Sequence, residues 1–155
     1  MERGLDMGVI IINSYSLGAV VAAVSDIYSK DDAGSGSLGH GGSKFTKTVG
    51  GSATHNQDII APLEVSAGQA VTVGLNGEWT GTETSIAWSV LTVDNALGLV
   101  AGVSPTSGTS AGFDPVFTIA GGAAQGMAAA YRFQLEVTNA GGTTTKLWDF
   151  TVLHP

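Results

Sequence analysis

Apolar and polar residues alternate most regularly in the stretch YRFQLEVTNAGGTTTKLWDFTV, residues 131–152. The Asn-Ala-Gly-Gly sequence in its middle is typical of a tight turn, because glycine accepts the positive φ that such turns require. The large apolar residues at every second position are Tyr131, Phe133, Leu135, Val137, Trp148, Phe150 and Val152. A slip of one residue would move this whole set into water, so the pattern predicts a β-hairpin with a fixed register.

Shorter alternating segments precede this hairpin at intervals of roughly ten residues, as in a β-sandwich. They are PLEVSAGQAVTVGL, TSIAWSVLTV and VFTIAG, which begin at Pro62, Thr84 and Val116. No long segment shows the period of a helix. Glycine accounts for 23 of the 155 residues, and 12% of residues are charged, about half the usual ~25%. The sequence therefore predicts an all-β fold, a sandwich of about seven strands.

The composition changes near residue 58. Residues 7–24, MGVIIINSYSLGAVVAAV, carry no charge, whereas residues 29–58 are rich in Gly, Ser and Asp and contain few core-forming residues. The second composition is typical of a flexible or extended linker, and a structureless loop of that length is improbable inside a compact domain. We therefore predict an N-terminal arm and Gly/Ser-rich linker over residues 1–58 and a β-sandwich domain over residues 59–155.

The apolar run at the start differs from a membrane span and from a signal peptide. Its length is at the lower limit for a span, and polar residues 13–16 interrupt it. The leading MERGLD is acidic, whereas a signal peptide begins with basic residues. We therefore expect no membrane contact, and an arm that becomes buried against a partner. The expected contact residues are Val9, Ile10, Ile11, Ile12, Tyr15, Leu17, Val20, Val21 and Val24.

The last two predicted strands resemble the end of an immunoglobulin-like or PKD-like β-sandwich. In those families a Tyr begins the penultimate strand and a core residue follows two positions later, and Tyr131 and Phe133 match this spacing. Trp88 resembles the buried Trp of the central strand, with Val71 or Val73 facing it. Phe133 stands where antibody domains carry Cys, so the similarity is to the disulfide-free branch. The resemblance covers about residues 60–153 and implies the fold, while many functions occur on it.

Charge and motifs exclude several classes of function. The net charge is −7 without any lysine or arginine cluster, which argues against a nucleic-acid partner. The chain lacks cysteine, and its three histidines have no metal-ligand spacing. Residues 34–39 fit G-x-G-x-x-G without the flanking strand and helix. Residues 108–112 fit G-x-S-x-G outside an α/β sheet. We therefore expect no enzyme activity, no cofactor and no metal.

These features favour a non-enzymatic structural protein of a virus particle: a bacteriophage capsid decoration or cement protein, or a tail or fibre accessory. The arm would dock on the major capsid or tail protein, and the sandwich would be displayed outward, so the expected location is the virion. We expect a homo-oligomer, for which a trimer is one form. The alternative is a carbohydrate-binding or adhesion module of a bacterial surface protein, in which Trp79 would stack on a glycan.

Overall fold

The computed structural model describes residues 20–31 and 44–155, and every regular element in these ranges is a β-strand. The strands form two sheets that pack face to face, so the prediction of an all-β sandwich is confirmed. Within the same two ranges, no helix is long and apolar enough to cross a membrane. The expected arm contacts from Val9 to Leu17 lie outside the described residues.

Seven strands form the first sheet and five form the second. The strands of the first sheet are β1 (Ser25–Asp31), β2 (Lys44–Val49), β3 (Ser52–Asp58), β5 (Ala70–Thr80), β7 (Val100–Ser104), β9 (Gly112–Phe113) and β10 (Val116–Ile119). The strands of the second sheet are β4 (Leu63–Glu64), β6 (Ser85–Asp94), β8 (Ser107–Gly108), β11 (Ala128–Asn139) and β12 (Gly142–Leu153). The two longest strands, β11 and β12, are those of the predicted hairpin.

The strand order is that of an immunoglobulin domain. The first sheet has the order β3-β2-β5-β10-β7, with β1 and β9 also pairing with β5. The second has the order β4-β12-β11-β6-β8. When β2, β5, β6, β7, β10, β11 and β12 are lettered A to G along the chain, the sheets contain the orders A-B-E-D and G-F-C, which define that fold. The short strands β8 and β9 lie between residues 94 and 115, a section of the sequence that is rich in Gly, Ser, Thr and Pro and has no regular alternation.

The β11–β12 hairpin has the register that its sequence pattern predicts. The two strands pair from Ala128 opposite Leu153 to Asn139 opposite Gly142. Gly142 has φ +134° at the turn, a conformation that side chains with a Cβ rarely adopt. Phe133 and Val137 are fully buried on the inner face. The hairpin therefore forms one side of the core, and its polar residues lie on the outer face.

Aromatic rings from both sheets meet at the centre of the core. Phe117 of β10 contacts Tyr131 and Phe150 edge-on, with ring centroids 5.1 and 5.5 Å apart. Phe133 stacks on Phe150 at 4.5 Å. Burial raises the pKa of Tyr131 above its ordinary value, because the phenolate would lose its hydration. These contacts join β10 in one sheet to β11 and β12 in the other.

Trp88 is buried on β6, as the resemblance to immunoglobulin-like domains implies, and it is 5% exposed. Its closest aromatic neighbour is Phe113, which stacks on the indole at 4.9 Å. Phe113 lies on the short strand β9 and contacts Phe133 edge-on. A residue from the section between residues 94 and 115 therefore provides the ring stacked on Trp88, whereas the resemblance implied Val71 or Val73 as the facing residue.

The structure differs from the sequence analysis at residues 44–58. The predicted linker is wrong there, because β2 pairs with β5 and β3 pairs with β2. Phe45 is 4% exposed and belongs to the core, and Gly50 and Gly51 make the intervening turn with positive φ. Residues 25–31 also form a strand on β5. The composition did not indicate this hairpin, because most of its residues are polar and Phe45 is its single large buried side chain.

The burial of Phe45 gives a direct test of this correction. Replacing Phe45 with Ala should reduce the free energy of unfolding by about 3–5 kcal/mol, because it removes an aromatic ring from the core. Urea denaturation followed by tryptophan fluorescence measures this change. Thr54→Ala, at an exposed position on β3, is the control and should stay within about 0.5 kcal/mol of the wild type. If both variants unfold like the wild type, residues 44–58 are a linker.

Candidate functional site

The chain enters the sandwich at one end, where residues 22–24 cross the β11–β12 turn. The Thr144 hydroxyl donates to the Val24 carbonyl at 2.7 Å. The Asn139 side-chain amide donates to the Ala22 carbonyl at 2.9 Å. Val24 itself is 2% exposed and joins the core. The chain that leads into β1 is therefore held by hydrogen bonds from two side chains to its backbone carbonyls, and by the buried side chain of Val24.

Asn139 is the centre of this contact, and it is 7% exposed. Its amide nitrogen also donates to the Thr82 carbonyl at 3.2 Å, and its side-chain oxygen accepts from the Gly141 N–H at 2.8 Å. One side chain thus joins the entering chain, the β5–β6 loop and its own turn. Because the amide is buried, losing one of these partners would leave a polar group without compensation.

Two glycines allow the entering chain to approach this closely. A Cβ on Gly141 would collide with the backbone of Val21 and Ala23. A Cβ on Gly81 would lie 3.4 Å from the Val24 Cα, and Gly81 has φ +107°. At position 141 the close approach of the entering chain, and not a positive φ, therefore requires glycine.

The arm residues that the structure describes fall into two groups at this contact, one exposed and one buried. Val20 is 78% exposed and Val21 is 50% exposed. Val24 was expected to contact a partner, but its side chain is buried in the protein's own core and is not available to one. The structure thus places two of the expected contact residues, Val20 and Val21, on the surface where the chain joins the sandwich. We call Val20 and Val21, with the underlying Asn139–Gly141 turn, the entry site.

Trp79, the expected sugar-stacking residue, is half-buried near the end of β5. Its indole N–H donates to the Glu83 carboxylate at 3.1 Å, and its ring packs beside Gly77. Glu78 next to it accepts from Lys30 at 2.9 Å and from the Tyr28 hydroxyl at 3.3 Å. The bond to Glu83 orients the Trp79 ring, part of which stays accessible. Its role in stacking on a ligand stays a prediction.

A polar cluster lies around Asp31, at the end of β1. Asp31 is fully buried, and its carboxylate accepts from the Asn56 N–H at 2.8 Å. The His55 ring nitrogen lies 3.4 Å from the same carboxylate, and Asn76 donates to the Asp31 carbonyl at 3.0 Å. Within the described residues no group of three or more possible metal ligands occurs. The cluster therefore provides hydrogen-bond partners for a buried carboxylate where β1, β3 and β5 meet.

A shallow groove of about 330 Å³ lies on the outer face of the second sheet. Its lining includes exposed apolar residues Ile60 and Val93 and the ion pair between Arg132 and Asp149. The Arg132 Nε donates to Asp149 at 2.6 Å, and this bond lowers the pKa of the Asp149 carboxyl. Because both side chains are more than a third exposed, water screens the pair and its effect on stability is small.

The G-x-S-x-G match at residues 108–112 has a structural explanation. Gly108 lies opposite Trp88 in the β6–β8 pairing, and a Cβ there would be 2.5 Å from the indole nitrogen. The Ser110 hydroxyl donates to the Gly112 carbonyl within its own loop. These glycines thus serve packing and turns in a β-loop, which is not the strand-to-helix context of a nucleophile elbow. The other match, residues 34–39, lies outside the described residues.

Comparison with known proteins gives similarity to solved structures alone. The sequence matches no protein-family model and none of the curated proteins. A nucleoside hydrolase-related hypothetical protein from Saccharophagus degradans, associated with carbohydrate metabolism, is similar at TM-score 0.47 and 17% identity, over 70% of this chain and 25% of that one. A conjugative transposon lipoprotein from Bacteroides eggerthii is similar at TM-score 0.43 and 12% identity, over 81% and 96%.

Domains 4 and 5 of the S-layer protein SbsC are similar at TM-score 0.40 and 11% identity, over 76% of this chain and 56% of that one. This chain thus spans a quarter of the first protein and just over half of the third. At this level of similarity none of the three indicates a shared function.

The close packing at Gly141 yields a prediction for the entry site. Gly141→Ala should displace residues 21–23 from the turn and lower the free energy of unfolding by about 1–3 kcal/mol, the usual cost of overpacking. Elastase, which cleaves after small residues, should then cut within residues 20–24 faster than in the wild type. Gly122→Ala is the control, because a Cβ there meets nothing within 4 Å. Equal cleavage of all three proteins would show that the segment is not held by the turn.

Proposed function

We propose that this chain is a non-enzymatic structural protein of a virus particle, a bacteriophage capsid decoration or cement protein or a tail or fibre accessory. In this proposal the segment that precedes β1 docks on the major capsid or tail protein, and the sandwich is displayed outward. The observation that carries the proposal is the entry site, where Val20 and Val21 are exposed immediately beside a chain segment that is held in place.

The entry site has the properties of an attachment point. Burying an exposed valine contributes about 1.5–3 kcal/mol, so two neighbouring valines supply a useful part of an interface. The bonds from Asn139 and Thr144 already fix the backbone of residues 22 and 24. Docking therefore costs less ordering entropy than it would for a free tail. On a symmetric particle many such contacts act together, so each one can be weak.

The electrostatics favour a protein partner over a nucleic acid. The net charge is −7, and the six basic residues are spread along the chain. Among the described cations, Lys30 and Arg132 are engaged with Glu78 and Asp149. A phosphate backbone needs several free cations on one face to displace its counterions. An apolar contact between proteins does not require them.

The proposal predicts that substitutions at the entry site abolish binding to particles. Phage particles from which this protein has been removed are mixed with the purified chain. The double variant Val20→Asp/Val21→Asp should bind to them at least about tenfold less than the wild type, because charged groups cannot be buried there without a partner. Quantitative mass spectrometry of particles purified on a density gradient measures the occupancy. Leu97→Asp is the matched control, because Leu97 is an apolar residue that is 67% exposed in a distant loop.

Two results would contradict the proposal. One is the absence of this chain's peptides from purified particles, and the other is equal binding by the double variant and the wild type.

The alternative, a carbohydrate-binding or adhesion module, is supported by the partial exposure and fixed orientation of Trp79. Binding in a glycan array that Trp79→Ala abolishes and Trp79→Phe retains would favour that alternative, because phenylalanine keeps an aromatic face for stacking.

A further inference from the structure

The last strand, β12, has an outer edge that, among residues 20–31 and 44–155, is covered by another strand only at its end. Within the described chain, β4 pairs with β12 only at Val152 and Leu153. The remaining residues of β12 pair with β11 on one side and have no strand on the other. An edge of this kind presents unpaired N–H and C=O groups that can extend the sheet with another strand.

The direction of these groups follows from the bonds at the end of β12. The Leu153 carbonyl accepts from the Val65 N–H, on the side away from β11. The His154 N–H donates to the Met127 carbonyl, on the side of β11. Backbone groups alternate between the two sides along a strand. The odd-numbered residues Thr145, Leu147 and Asp149 therefore direct their N–H and C=O groups to the open edge.

Other parts of the chain limit this open edge at both ends. Residues 21–24 cross the turn and the start of β12, where Thr144 binds the Val24 carbonyl. At the other end, Ile60 lies in the groove beside Asp149 and Thr151, just before β4 begins. The accessible part is therefore residues 145–149, and Leu147 is its midpoint. Leu147 is 44% exposed, although its neighbours Trp148 and Phe150 are buried.

We propose that this edge pairs with the same edge of a second copy, antiparallel and centred on Leu147. Leu147 then lies opposite Leu147 of the second copy, and Thr145 lies opposite its Asp149. The pairing joins two second sheets into one continuous sheet across a two-fold axis. Because the same surface is used on both copies, the contact closes at two chains. This inference rests on the edge alone and does not depend on the proposed attachment to a particle.

The side chains favour this register over its neighbours. A register centred on Lys146 would place two lysines opposite each other, and one centred on Asp149 would do the same with two carboxylates. Like charges directly opposite each other in a sheet are destabilising. A register centred on Trp148 would place Leu147 opposite a carboxylate. The register centred on Leu147 pairs two apolar side chains and avoids every like-charge pair.

Charge reversal at Leu147 tests the proposal. In sedimentation equilibrium the full-length wild type should show a concentration-dependent dimer. Leu147→Lys and Leu147→Glu should each weaken self-association by at least about tenfold, because the new charge lies opposite itself. An equimolar mixture of the two variants should recover the dimer, since lysine then faces glutamate. Circular dichroism checks that each variant is folded. We expect both variants to fold, because Leu147 is exposed.

Leu91→Glu is the matched control, because Leu91 is 42% exposed on the outer face of the same sheet but on β6, away from the edge. It should associate like the wild type. The proposal is overturned if the wild type stays monomeric at every concentration tested. It is also overturned if the Lys and Glu variants associate as well as the wild type, or if their mixture does not recover.

Distances between spin labels test the register separately. The chain has no cysteine, so single cysteines at positions 147 and 143 can carry the labels without other changes. In the proposed register the two Leu147 Cα atoms are about 5.5 Å apart, the spacing of a hydrogen-bonded pair. The two Thr143 Cα atoms are offset along the strands by about 27 Å. A shorter distance at 143 than at 147 would contradict the register.

Discussion

Contact between aromatic rings from the two sheets is the interaction on which the rest of this structure depends. Phe117 on β10 reaches Tyr131 on β11 and Phe150 on β12, and Phe133 stacks on Phe150. Rings of this size provide large buried areas, and their edge-on and stacked geometries add to the area term. In a sandwich without a disulfide, hydrophobic packing of this kind is the main interaction that joins the two layers.

The fixed centre determines where the entry site and the open edge of β12 lie. With β11 and β12 locked in register, the turn between them holds Asn139 and Gly141 at one end of the sandwich, where they bind the chain that enters β1. Along residues 145–149, β12 has no described strand on the side away from β11, and Leu147 lies on its exposed face. The entry site and the open part of the β12 edge thus both depend on this one hairpin.

Periodicity in the sequence was sufficient to predict the elements whose partners are close along the chain. Tyr131, Phe133 and Trp148 alternate so regularly that the hairpin, its register and its buried face were predictable. The β2–β3 hairpin was not, because Phe45 is its single large buried residue and the rest of its composition is that of a linker. Period-2 patterns indicate a strand only when several apolar residues share one face.

The entry site depends on contacts that no local pattern encodes. Asn139 reads as a turn residue, yet its amide binds the Ala22 carbonyl across 117 positions of the chain. Asp31 reads as a linker residue, yet it is fully buried beside His55. Their partners are determined by which strands become neighbours in the folded sandwich. Such contacts follow from the topology and are found only once the fold is known.

Because Phe45 packs into the same core as Phe117, Phe133 and Phe150, residues 44–58 and the aromatic centre form one cooperative sandwich. Native-state hydrogen exchange measured by NMR tests it most directly, because amides that open only on global unfolding share one exchange free energy. The account predicts that backbone amides of β2 in its ladder with β5, such as Thr46 opposite Gly74, exchange with nearly the same free energy as Leu135 in the core. Exchange of the β2 amides at the rate of an unstructured peptide would contradict it.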